Sequence, residues 1–285
     1  MTHVFNKDVP DDMTVMAFIK KILPWDEAIK NVGGPRDYVI HEPLMTLENH
    51  EGLLKETYLL YKQLGAANWQ SRRDCSLYGL ALSLNPAMPE SEWTVGCFGH
   101  PRYQKHSNYN YFNAVSADQD NRVKNDYLDN LSFKYLNSAI TRCPQLCRFF
   151  DGFDLSIHRA TARTVNGNTT FPTVTTDGGM HTDGLQFESL NFNVCLSTNE
   201  NFGFQYEGSD PIYAKPGDVN LIAHDKRHRV FIKGNSDFQR THLIFSLSPW
   251  LEYFPSSDSW APTKYFGEVH PLDMVRNKLF MKEYK

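Results

Sequence analysis

The chain has 285 residues, 41% of them hydrophobic and 22% charged, which is enough apolar material for one large packed domain or two modest ones. Its formal net charge of −4 supplies no general attraction to nucleic acid or to an anionic membrane. Five scattered cysteines, Cys75, Cys97, Cys143, Cys147 and Cys195, form an odd set that fits reduced thiols in a cytoplasmic setting better than a disulfide framework.

Within the first 25 residues, "VMAFIKKILPW" is interrupted by two lysines and a proline, so neither a signal peptide nor a membrane span is expected. The segment "HEGLLKETYLLYKQLG" (50–65) puts Leu53, Leu54, Tyr61 and Leu64 on one stripe and closes with glycine, which predicts a helix. "CSLYGLALSL" (75–84) reads as a strand ended by Pro86. "HPRYQKHSNYNYF" (100–112) mixes rings with basic groups but carries only Arg102 and Lys105 as firm charges; it reads as an ordered loop, a candidate lid, rather than a nucleic-acid surface. A second helix is predicted from Lys124 to Ile140, with Leu128, Leu131, Tyr135 and Leu136 as its apolar positions. "CPQLC" (143–147) has no second cysteine pair nearby and is read as two buried thiols beside a helix, not a zinc site.

From about residue 152 the texture changes to short apolar or alternating runs, among them "DLSIHRATARTV", "SLNFNVCLS", "FGFQYEG", "DVNLIAH", "HRVFIKG" and "RTHLIFSLS". The breaks between them, such as "NGN", "DGG", "KPGD" and "KGNSD", leave no room for the helices of an α/β fold. Strands at this spacing predict an antiparallel sandwich or barrel. The fold class expected is mainly β with flanking helices in a single domain: 1–151 as supporting helices and strands, 152–250 as the β core, 251–285 as a covering segment.

"GGMHTDG" (178–184) holds His181 and Asp183 two apart, on one side of an extended chain. A third ligand is available from His224, His228 or His242. His228 is preferred, because Val230 and Ile232 continue a strand on its side and a glycine turn then leads to Arg240 at the start of the next strand. Two imidazoles and one carboxylate are the donor set of a non-haem Fe(II) site with open positions. A bare His-x-Asp is unspecific in a chain with 11 histidines; the ordered combination carries the signal. His224 as the distal ligand would leave Arg240 farther away, and His242 is expected to be bonded within the sheet. Asn191 and Asn193 face one way on their strand, as do Arg159 and Arg163, either toward a pocket or toward solvent.

The ordered set "MHTDG", "KPGDVNLIAH", "HRVFIKG" and "RTHLIFSLSPW" resembles the iron- and 2-oxoglutarate-dependent oxygenases, built on the double-stranded β-helix (a jelly-roll, cupin-like core). The resemblance covers residues 152–250. "LNFNVCLS", "GFQYEG", "GDVNLIAH" and "HRV…RTHLIF" look most like the aspartyl/asparaginyl β-hydroxylase-type branch, whose members hydroxylate amino-acid side chains in peptides or as free amino acids. Some members lack the carboxylate ligand. This chain keeps Asp183, as do the related free-amino-acid hydroxylases.

The resemblance implies that His181, Asp183 and His228 hold Fe(II), and that 2-oxoglutarate chelates it and leaves one position for O2. Arg240, whose planar fork suits a carboxylate, would take the cosubstrate's far end. Where their strand faces line the pocket, Asn193 would join it there, and Asn191 and Arg159 would reach the substrate. The implied reaction hydroxylates an unactivated C–H bond of an amino acid or peptide side chain, consuming O2 and releasing succinate and CO2. Demethylation or desaturation of another small molecule by the same cofactors is the alternative. A non-redox cupin-like binding protein is a third, and in it Arg240 would be dispensable. Oligomeric state is left open.

Overall fold

Alternation along "LNFNVCLS" sorts the structure into two sides: Leu190, Phe192, Val194 and Leu196 enter the hydrophobic core, while Asn191, Asn193 and Cys195 turn the other way. The computed structural model describes residues 2–10, 13, 15–64, 67–68, 77–84, 135–136, 138–166, 180, 182, 185–233 and 237–282. The helices are α1 (Val15–Ile22), α2 (Trp25–Asn31), α3 (His50–Leu64), α4 (Pro144–Asp151) and α5 (Pro271–Arg276). The early strands are β1 (Val4–Phe5), β2 (Met45–Thr46), β3 (Ala67–Asn68), β4 (Leu77–Ala81), β5 (Ser83–Leu84) and β6 (Tyr135–Leu136). The later ones are β7 (Ile157–Asn166), β8 (Leu190–Ser197), β9 (Phe202–Tyr206), β10 (Asp218–Ile222), β11 (His228–Ile232), β12 (Gln239–Leu247), β13 (Leu251–Phe254) and β14 (Ser259–Pro262).

Seven strands form the main sheet in the order β2-β10-β8-β12-β7-β4-β3, and β11-β9 form a separate pair. Every pairing among the described strands is antiparallel. One face of the main sheet carries the core. Phe192 and Phe245 are register partners whose rings stack at 5.1 Å with planes 10° apart. Phe150 and Phe153 meet Phe245 at 5.6 and 4.9 Å, and Phe280 meets Phe192 at 5.3 Å. The chain following the sheet packs here too: fully buried Trp250 meets Trp25, Phe187 and Phe266 at 5.5, 5.0 and 5.4 Å.

Sharp geometry at the strand ends follows from the turn residues. In "KPGD", Gly217 has φ +93°, and a Cβ there would lie 2.7 Å from the Leu47 carbonyl oxygen, so only glycine closes this turn without strain. The Asp218 carboxylate then accepts from the Lys215 amide at 2.7 Å. α4 starts with proline at its first turn, and its exposed amides are capped from another helix. The Glu56 carboxylate on α3 accepts from the Gln145 and Leu146 amides at 2.9 Å each, satisfying donors that a helix start leaves open.

Two expectations change. The 50–65 helix stands as α3, but "CSLYGLALSL" splits at Leu82 into β4 and β5. The helix expected over 124–140 lies mostly outside the described residues, and its described end is not α-helical. Tyr135–Leu136 pairs with Ser83–Leu84, and Ser138–Arg142 is a 3-10 turn, because a strand partner for Tyr135 and Leu136 overrides their helical spacing. The side chain of Arg159, expected to share a face with Arg163, lies outside the described residues; the β7–β12 ladder shifts register nearby, with Thr161 opposing Ile244 and His158 opposing Ser246. The loop expected over 100–112 lies outside the described residues.

Candidate active site

The face of the main sheet turned away from the core is polar. β8 presents Asn191, Asn193 and Cys195; in register they meet Ile222 and Asn220 on β10 and Ser246, Ile244 and His242 on β12. His242 in turn opposes Arg163 on β7. The β9–β11 pair lies across from this face. Between the two is a narrow cavity of about 20 Å³, lined by Asn193, Asn220 and Arg240 on one side and by Phe202, Phe204 and Tyr206 on the other.

Arg240 is the charge in this cavity. It is 5% exposed, and its Nη1 has no hydrogen-bond partner among the described residues. Burial pulls its pKa below the ordinary arginine value. The nearby Cys195 thiol does not neutralise it, because burial pushes that thiol up to about 11 against the pull of Arg240. A buried guanidinium with no counter-charge is costly by several kcal/mol, so the cavity is arranged for an anion. Asn193, 9% exposed, lines the same space, whereas the Asn191 side-chain Oδ1 already accepts from the Ser246 hydroxyl at 2.6 Å. Thr198 and Asn220 also line the cavity. Asn220 becomes visible only through its register with Asn193.

His228 opens β11 and is 3% exposed. Its Nδ1 is 2.8 Å from the Lys226 carbonyl oxygen; a carbonyl only accepts, so Nδ1 carries the proton and the ring's lone pair lies on Nε2, the form that binds a metal. Phe204 stacks on the ring at 5.2 Å, and Tyr206 meets it edge-on at 6.2 Å. These two rings also line the Arg240 cavity and so join the imidazole to it. Tyr206 accepts from the Ala223 amide at 2.8 Å, and its phenol is raised to about 12, chiefly by burial; it keeps its proton at neutral pH.

The other histidines differ. Both nitrogens of His224 are engaged, Nδ1 with the Ile222 carbonyl at 3.3 Å and Nε2 with the Ser189 hydroxyl at 3.4 Å. His242 is buried and held well below the ordinary histidine pKa by burial, then by the Arg240 and Arg163 guanidinium groups. Contrary to expectation its Nδ1 has no hydrogen-bond partner among the described residues.

His181 and Asp183 lie outside the described residues, as does the side chain of Arg159. Among the described residues no three His, Cys, Asp or Glu side chains form a metal site. The chain just beyond Asp183 is described, and it meets the loop that leads into His228. Gln186 Nε2 donates to Asp225 Oδ2 at 2.7 Å, and Ser189 reaches His224. What is described fits the groups sought: an imidazole with its lone pair on Nε2 suits a divalent transition metal, and the uncompensated guanidinium suits an organic carboxylate.

No family model matches the chain, and no curated protein matches it. Among solved structures it is similar to an oxidoreductase of the 2OG-Fe(II) oxygenase family from Burkholderia pseudomallei, at 16% identity and TM-score 0.32 over 68% of this chain and 76% of that one. It is also similar to the DMSP lyase DddQ from Ruegeria pomeroyi DSS-3, at 12% identity and TM-score 0.25 over 81% and 88% of the respective chains. Likenesses this loose carry no assignment, and the functional reading rests on the chain's own residues.

Proposed function

We propose that this protein is a non-haem Fe(II)/2-oxoglutarate-dependent dioxygenase that hydroxylates an unactivated C–H bond of an amino acid or peptide side chain. The observation that carries the reading is the buried Arg240 guanidinium, its Nη1 without a partner among the described residues, in a cavity whose far wall packs against His228. The strand order is compatible with a double-stranded β-helix core: β10-β8-β12-β7 lie in one sheet, and β11-β9 form a separate pair. On this reading residues 1–285 act as one oxygenase domain, and the compartment is the cytoplasm. Among the described residues no helix is long and apolar enough to cross a membrane.

His181, Asp183 and His228 would hold the iron, which with 2-oxoglutarate and O2 supplies the oxidative chemistry. The protein's own residues do the rest. Arg240 fixes the far carboxylate by two parallel charge-assisted bonds, and Asn193 adds a side-chain amide. The Lys226 carbonyl holds the proton of His228 on Nδ1. Phe202, Phe204 and Ile222 line the cavity and keep water from the carboxylate pair, which strengthens it. No side chain is needed as general base or nucleophile.

Adding 2-oxoglutarate to anaerobic, Fe(II)-loaded protein is expected to produce a weak visible charge-transfer band. Arg240→Ala should require at least about tenfold more 2-oxoglutarate for the same band, as loss of a charge-assisted pair implies, while iron content by metal analysis stays near wild type. No band in folded, iron-loaded wild-type protein would defeat the reading.

A further inference from the structure

Gln186 is 2% exposed and stands three residues past Asp183 in sequence. Both polar atoms of its side chain are bonded to other segments. Nε2 donates to Asp225 Oδ2 at 2.7 Å and to the Arg36 carbonyl at 3.1 Å, and Oε1 accepts from the Arg36 amide at 3.2 Å. A backbone amide only donates, whereas a carbonyl or an ionised carboxylate only accepts, so these partners fix which way the side-chain amide points. One buried side chain is thus the junction of three segments far apart in the chain.

The loop that carries Asp225 is closed on itself and delivers His228. The Lys226 amide donates to the Ala223 carbonyl at 3.0 Å, the Ala223 amide donates to the Tyr206 hydroxyl at 2.8 Å, and the Lys226 carbonyl holds His228 Nδ1. The stretch that carries Gln186 is fixed as well. Phe187 meets the rings of Trp250 and His270 at 5.0 and 5.1 Å, Glu188 pairs with Lys20, and Ser189 Oγ is 3.4 Å from His224 Nε2. These two pieces are therefore tied at two points, Gln186 to Asp225 and Ser189 to His224. The first tie is the shorter one and is assisted by the carboxylate charge. His228 lies three residues past Asp225, as Gln186 lies three past Asp183, and an arm of that length reaches at most about 11 Å. The bonds to Arg36 brace another segment; only the bond to Asp225 reaches the histidine loop.

We propose that Gln186 is a positioning residue for the metal centre: its bond to Asp225 holds the His228 loop against the chain that follows Asp183, so that the ligands are set before the metal arrives. This rests on the assignment of His181, Asp183 and His228 as metal ligands under the oxygenase reading, and it needs neither 2-oxoglutarate nor turnover. Gln186 acts through the loop and not by contact with the metal. Partners of this outer kind carry about ten- to a hundredfold in metal affinity.

The test is the chelator concentration that removes half the Co(II) from Co(II)-loaded protein, followed by the visible bands of the bound ion. Gln186→Met keeps the length of the side chain and removes its three bonds, and Asp225→Ala cuts the same tie from the other end. Each should release Co(II) at a chelator concentration about ten- to a hundredfold lower than wild type does. The double variant should be no weaker than the weaker single one, because both changes remove one tie. Asp225→Asn, whose side-chain oxygen still accepts from Gln186, should lie closer to wild type than Asp225→Ala. Denaturant midpoints are measured on the same proteins. A lowered midpoint with unchanged Co(II) retention is what a merely structural role gives and overturns the proposal, as do additive losses in the double variant. Should Gln186→Met fail to fold, Asp225→Ala, at the less buried end of the tie, decides the question. Wild-type protein that takes up no Co(II), or takes it up equally well as His228→Ala, would defeat the ligand assignment itself and this proposal with it.

Discussion

Arg240 is a buried charge whose Nη1 nothing in the described protein satisfies. For Arg240 the cost has a measurable signature. Replacing an uncompensated buried charge with a hydrocarbon of similar volume removes a desolvation penalty, so Arg240→Met is expected to raise the melting temperature of the ligand-free protein. Wild-type protein should gain stability on adding 2-oxoglutarate by mass action, and Arg240→Met should gain nothing from it. Differential scanning fluorimetry with and without the cosubstrate checks both. An Arg240→Met protein less stable than wild type, with the cosubstrate absent, would mean that the guanidinium has a structural partner.

At the scale of elements, the clearest dependency is between α3 and α4. Glu56 caps α4 through its carboxylate rather than through a residue of α4's own N-terminus, and Cys143 at the cap position makes no side-chain cap. Glu56→Gln keeps the shape but replaces charge-assisted bonds and the favourable end of the helix dipole with a neutral amide. A loss of about 1–2 kcal/mol is expected, read from the denaturant midpoint at unchanged slope. The elements also show what could be read in advance. α3 was legible because a 15-residue helix leaves a long periodic stripe, and β12 because "RTHLIFSL" alternates between a polar and an apolar side. β6 was not, because two residues pairing with Ser83–Leu84 have no period of their own. The register shift in the β7–β12 ladder was not legible for a related reason: it depends on the partner strand and leaves no mark on the alternation of one strand.

Across the whole molecule, stability depends on histidines that must stay neutral. His270 Nδ1 accepts from the Leu272 amide at 3.1 Å, and its Nε2 holds the Gly34 carbonyl. Its pKa is lowered by burial first and then by Arg36, and that of His242 is lowered by burial and two guanidinium groups. In the unfolded chain both would titrate near about 6.5. Depressed values in the fold mean that the unfolded state takes up protons first as pH falls. Stability is therefore fully present above that range and declines as pH drops below it toward the folded values. Thermal unfolding from neutral to mildly acidic pH should show this decline, and His270→Asn should make it shallower. An equal slope in the variant would remove His270 from the account.

The sequence alone determined the β character of residues 152–250, the α3 helix, the turn at "KPGD", and the choice of His228 and Arg240 as the residues to watch. These are local properties, written in periodicity, in glycine and proline, and in the chemistry of single side chains. Only the tertiary structure decided that Arg240 Nη1 has no partner among the described residues, that His228 Nδ1 meets the Lys226 carbonyl, and that Asn220 joins Asn193. Each of these depends on register or on contact between segments far apart in the chain, and on what burial removes from reach of water. A linear pattern of residue types carries no such information.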